Sequence, residues 1–194
     1  MPAFRRAASV ASFGCLALST ACAGGAASMS ALSSSKAQSY GPRVEEGVAR
    51  VRAATASFVS LDSAVASGYV RDVSVCYNHP RHGAMGFHHI NRAYVDATVD
   101  VQHPEILLYE RRDDGRYALN GVEFIVPYRF WPRDSIPPKL LGLQMKQQDE
   151  LKLWYLHMWV WTENSAGLFA DYNPGVKCPP GGQTAQLRDS TSAR

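Results

Sequence analysis

The sequence predicts an α+β fold: N-terminal amphipathic helices packed on an antiparallel, curved β-sheet. Three observations carry this expectation. Val44, Val48, Val51 and Phe58 recur at helical spacing near the start of the foldable region. From Tyr69 onward, short apolar runs alternate with turn signals. The segment Leu151 to Thr162 is a long aromatic run that reads as one buried strand.

Pro42 suits the first position of a helix, where its missing N–H costs nothing, and a helix is expected over 42–59. Thr55 falls on the apolar stripe and weakens it; Glu45, Glu46, Arg50 and Arg52 take the outer surface. Asp62 is the expected cap of a second short helix through Ala66, which Gly68 ends. Ile106 to Glu110 reads as a buried strand, Asp113-Asp114-Gly115 as a hairpin turn, and Tyr117 to Val126 as the return strand stopped by Pro127. Pro132, Pro137 and Pro138 mark a loop before the aromatic run. As a strand, that run puts Trp154, Leu156, Met158 and Val160 on one face and Tyr155, His157, Trp159 and Trp161 on the other. Both faces are apolar enough for a central strand.

The chain has 194 residues, 46% hydrophobic and 19% charged, which suffices for one domain with a real core and not for two full domains. The formal charge of +3 excludes a strongly basic nucleic-acid binder and an acidic disordered chain, and no nucleic-acid partner is expected.

Arg5 and Arg6 precede an uncharged apolar and small-residue stretch from Ala7 to Ala23. This is the physical pattern of a secretory signal peptide, too short and too rich in small residues for a membrane span. Leu18-Ser19-Thr20-Ala21-Cys22 reads as a lipobox, in which Cys22 would be lipidated and anchor the protein to a membrane. Ala21-Cys22-Ala23 also fits ordinary signal cleavage, and both alternatives stand. The expected organisation is a signal peptide over 1–22, a flexible linker over 23–39, one globular domain over 40–178 and a disordered tail over 179–194. Cys76 and Cys178 are an even pair in an oxidising compartment, and a disulfide between them is expected. A thiolate metal ligand or a nucleophile is the competing role, weakened by the absence of any C-x-x-C pair.

Histidines and carboxylates carry the candidate chemistry. Five of the six histidines fall between His79 and His103, and His157 stands alone in the aromatic run. Glu123 lies in the otherwise apolar Gly121-Val122-Glu123-Phe124-Ile125-Val126, where a carboxylate is costly unless paired or bound. His157 meets the same difficulty. Neighbouring strands can bring Glu123 and His157 together with His88 or His89, but in a strand those two point to opposite faces, so one at most joins. The expected site is His88, Glu123 and His157, holding a divalent transition metal as two imidazoles and one carboxylate. His89, His79 and His82 are reserve ligands. Tyr155, Trp159 and Trp161 are expected to line an adjacent pocket. The competing interpretation pairs Glu123 with Arg92 or Arg129 and leaves the histidines as satisfied core residues.

Four segments carry a family resemblance: Gly83-Ala84-Met85-Gly86-Phe87-His88, Pro104 to Glu110, Gly121 to Pro127, and Leu156-His157-Met158-Trp159-Val160-Trp161. Together they resemble an uncharacterised family of bacterial exported proteins. The resemblance covers about residues 40–178 and implies export and a single domain. It implies no activity and no catalytic residue.

The functional expectation is therefore an exported metal-binding protein in the periplasm or on the outer face of a membrane, with a metalloenzyme acting on a small molecule as its catalytic form. A metal-free periplasmic small-molecule-binding module and a structural envelope lipoprotein are the alternatives.

Overall fold

The computed structural model describes residues 39–71, 75–180 and 184–185. The expected signal peptide, Cys22 and nearly all of the linker lie outside the described residues.

Helix α1 spans Pro42–Thr55 and continues as a 3-10 turn over Ala56–Val59, so the expected helical stretch divides into two geometries. Thr55 is fully buried and hydrogen-bonded: its Oγ1 donates to Val51 O at 2.7 Å and accepts from Trp161 Nε1 at 3.0 Å. Helix α2 spans Leu61–Ala66. Its cap is Ser60, whose hydroxyl accepts from Ser63 N at 3.4 Å, while Asp62 sits one step inside the first turn. Gly68, at φ 93°, ends it.

The sheet is built from β1 (Val70–Arg71), β2 (Cys76–His79), β3 (Gly83–Ile90), β4 (Ile106–Arg111), β5 (Tyr117–Pro127), β8 (Lys146–Gln148), β9 (Leu153–Met158) and β10 (Thr184–Ala185). Strands β6 (Lys139–Leu140) and β7 (Leu143–Gln144) form a separate small ribbon. The order across the main sheet is β10-β2-β3-β4-β5-β9-β8, with β1 also paired to β3. All pairs in it are antiparallel except β10 with β2. Strand β10 lies within the tail expected to be disordered and pairs with Cys76 and Tyr77; most of that tail lies outside the described residues.

The two faces of the sheet carry separate apolar clusters. One contains Leu107, Tyr109, Val122, Phe124, Trp154, Leu156 and Met158, together with Val51 of α1 and Ala64 of α2. Cross-element bonds accompany it, from Tyr109 Oη to Phe58 O at 2.5 Å and from Arg52 Nε to Val160 O at 2.6 Å. The other face contains Ile90, Ile106, Leu108, Ile125, Tyr155, Trp159 and Val176. The Cys76–Cys178 disulfide forms, with Cα atoms 5.6 Å apart and a sequence separation of 102. It fastens the C-terminal segment to β2.

Strand β3 depends on glycine. Gly86 has φ 91°, and a Cβ there would lie 2.5 Å from Tyr109 O on β4. No residue with a side chain fits that approach. Strand β9 ends four residues before the expected boundary. After Met158 the chain turns away: Trp159 N donates to Leu168 O, and Trp161 N and Thr162 N both donate to Asn120 O. No helix among the described residues is long and apolar enough to cross a membrane.

Candidate metal centre

Register places the site. Glu123 on β5 is the direct cross-strand partner of His157 on β9. On its other side Glu123 pairs with Ile106 of β4, and Leu108, two residues along, pairs with His88 of β3. Side chains two apart in a strand share a face, and directly paired residues share it too. His88, Glu123 and His157 therefore project from one face, opposite the one that packs with the helices.

The three side chains converge. His88 Nε2 lies 3.2 Å from Glu123 Oε2, and His157 Nε2 lies 3.7 Å from the same oxygen. One donor atom from each residue falls within 4.8 Å of the others. All three are buried, His157 to 1% exposure. His88 Nδ1 and both nitrogens of His157 have no hydrogen-bond partner among the described residues. Unsatisfied polar atoms at such burial are costly, and a cluster that gathers three of them could hold a metal ion.

Charge points the same way. Burial alone would raise the Glu123 pKa, but the adjacent His157 and the hydrogen bond and charge of His88 outweigh it and hold the carboxyl below its ordinary value. Close by, Asp171 approaches His157 Nδ1 at 3.8 Å, and Lys146 Nζ contacts Asp171 Oδ1 at 2.5 Å. Burial pushes Asp171 upward, but His157 and Lys146 overcome it and bring the pKa to about 2. Two carboxylates thus face one ammonium. A divalent cation bound to the imidazole nitrogens would supply the same positive charge and keep the carboxylates ionised.

Rings close around the donors. Tyr77 meets His88 edge-on at 4.9 Å, Tyr155 meets His157 at 5.6 Å, and the Trp159 ring stacks parallel to His157 at 6.3 Å. Trp159 is held by Nε1 donating to Ala170 O at 2.7 Å.

The other sequence candidates fall elsewhere. His89 lies on the opposite face against Tyr109 and Tyr117, apart from the cluster, as strand alternation requires. His79 and His82 flank the β2–β3 turn, stacked on each other at 4.3 Å and beside Tyr172. Trp161 does not line a pocket with Tyr155 and Trp159. The turn after Met158 sends it to the helix side, where it bonds Thr55. Glu123 pairs with the two histidines rather than with Arg92 or Arg129.

Sequence reasoning missed Asp171, Lys146 and Tyr77. Asp171 precedes the turn Asn173-Pro174-Gly175 and looks like an ordinary turn residue, and Lys146 looks like a surface lysine. No local signal distinguishes them. Asp171 is positioned by long-range bonds. Asn173 and Ala84 exchange backbone hydrogen bonds at 3.1 and 3.0 Å, which lays this segment against β3. Lys146 Nζ also donates to Phe169 O at 3.2 Å.

Comparison with protein families, with characterised proteins and with solved structures found no match to this chain.

Proposed function

We propose that the protein is an exported metal-binding protein whose His88, Glu123 and His157 hold one divalent transition metal. The observation that carries this is the convergence of two imidazole nitrogens on one buried carboxylate oxygen, at 3.2 and 3.7 Å. Imidazole and carboxylate donors suit zinc, iron, manganese, nickel and copper, so the donor set defines a class rather than an element. Three protein ligands leave a coordination position for water or substrate, the arrangement of hydrolytic and oxidative metal sites. A zinc-like ion there would bring the pKa of its bound water toward about 7 and supply a nucleophile for a small-molecule substrate.

Export is supported by the charged and apolar N-terminal pattern and by the Cys76–Cys178 disulfide, a linkage that persists in oxidising compartments. Lipidation at Cys22 would place the domain on a membrane surface.

The test is metal analysis of the purified domain, before and after supplementation with Zn²⁺. One equivalent is expected, with loss in His88→Ala, Glu123→Gln and His157→Gln. Less than about a tenth of an equivalent of any transition metal after supplementation would overturn the proposal.

A further inference from the structure

We infer that Asp171, held by Lys146, is the positioning residue of the metal centre: when a metal binds, it takes a hydrogen bond from Nδ1–H of His157, closing the present 3.8 Å gap, and so presents Nε2 to the metal. This rests on the metal reading above and extends it to residues outside the ligand set.

The two nitrogens of His157 face two different carboxylates. Nε2 points to Glu123 Oε2 at 3.7 Å, and Nδ1 points to Asp171 Oδ1 at 3.8 Å. The ring is 1% exposed, and neither nitrogen has a hydrogen-bond partner among the described residues. A neutral imidazole carries one N–H and one lone pair, so one nitrogen must donate while the other binds. Asp171 is the carboxylate beside Nδ1. Metal-ligating histidines as a rule donate their second N–H to such a group, which fixes the tautomer and raises ligand basicity.

Asp171 is itself fixed. Lys146 contacts Oδ1 at 2.5 Å and anchors its ammonium on Phe169 O at 3.2 Å. Lys146 stands on β8, paired with Tyr155, two residues before His157 on β9. The chain carrying Asp171 is tied to Trp159 through Leu168 O and Ala170 O, and to β3 through Asn173. The same segment thus holds Asp171 beside His157 and packs the ring that stacks on it. A surface ion pair free to swing away would lack these ties.

The test uses the intact protein with Zn²⁺ as the probe. Competition against a chromophoric chelator should give Asp171→Asn an affinity about 10- to 100-fold weaker than wild type, with Asp171→Glu recovering much of it. In the Zn²⁺-loaded wild type, ¹⁵N shifts of the His157 ring should show Nδ1 protonated and Nε2 metal-bound. An Asp171→Asn affinity within about threefold of wild type, or a metal-bound Nδ1, would overturn the inference. The NMR measurement needs no variant, so it decides even if Asp171→Asn fails to fold. The two proposals separate cleanly. Wild type that binds no Zn²⁺ sinks both. Wild type that binds, loses Zn²⁺ in His88→Ala and keeps it in Asp171→Asn sinks only the role of Asp171.

Discussion

Glu123 and His157 are direct cross-strand partners, and the imidazole Nε2 stands 3.7 Å from the carboxylate Oε2. The pair lies across two adjacent strands of the sheet, β5 and β9, so backbone pairing sets its geometry. His88 joins from β3, with β4 between it and Glu123. A site assembled on paired strands is held by the ladder rather than by loops, which favours the precision a metal requires.

Metal binding should therefore stabilise the fold. With free Zn²⁺ at 100 times the dissociation constant, the protein should gain about 2.7 kcal/mol. Urea denaturation with and without Zn²⁺ measures it. Glu123→Gln should abolish the Zn²⁺-dependent shift, and a shift that persists in this variant would place the metal elsewhere.

Reducing the disulfide should be expensive. Cys76 and Cys178 close a loop with a sequence separation of 102. By chain entropy the double variant Cys76→Ser/Cys178→Ser should lose roughly 4–5 kcal/mol, read from the denaturation midpoint. An unchanged midpoint would mean that the C-terminal segment contributes no closure.

Stability of the metal-free protein should depend on pH through two buried groups with opposite signs. Burial pushes Glu105 from 4.5 up to about 8. Its contribution is complete below about 4.5 and is lost as pH rises to about 8. Burial, and then the charge of Arg71, bring His89 from 6.5 down to about 4. Its contribution is complete above 6.5 and is lost as pH falls toward about 4. Denaturation series across pH should show Glu105→Gln flattening the loss on the alkaline side and His89→Gln flattening the loss on the acid side. Glu105 Oε2 accepts from Ile125 N at 3.1 Å, a bond the glutamine carbonyl can keep. Unaltered slopes in both variants would show that other groups set the profile.

Gly86→Ala should destabilise by roughly 2–4 kcal/mol, combining the left-handed backbone cost with displacement of Tyr109 O on the next strand. Thermal melting checks it. Because Gly86 lies two residues before His88, the variant should also weaken Zn²⁺ binding; full affinity would show that β3 tolerates the shift.

Much of the architecture was legible locally. The helical stripe through Val44 and Val51, the Asp113-Asp114-Gly115 turn and the hairpin around it follow from short-range periodicity and turn chemistry. Glu123 and His157 announced themselves as polar groups in apolar strands, and alternation separated His88 from His89. The same alternation failed at Trp161, because the strand stopped at Met158 when the chain was captured by Asn120 O and Leu168 O. The bonds to Asn120 O join residues some forty positions apart, and no local pattern encodes them.

By itself, the sequence determined which residues could not be left unmatched: a carboxylate and two imidazoles embedded in apolar strands, whose desolvation demands partners. Only the tertiary structure decided that they partner one another, and that Asp171 and Lys146 stand behind them. That outcome depends on strand register and on a returning C-terminal segment, long-range pairings that place residues within a few ångströms whatever their separation along the chain.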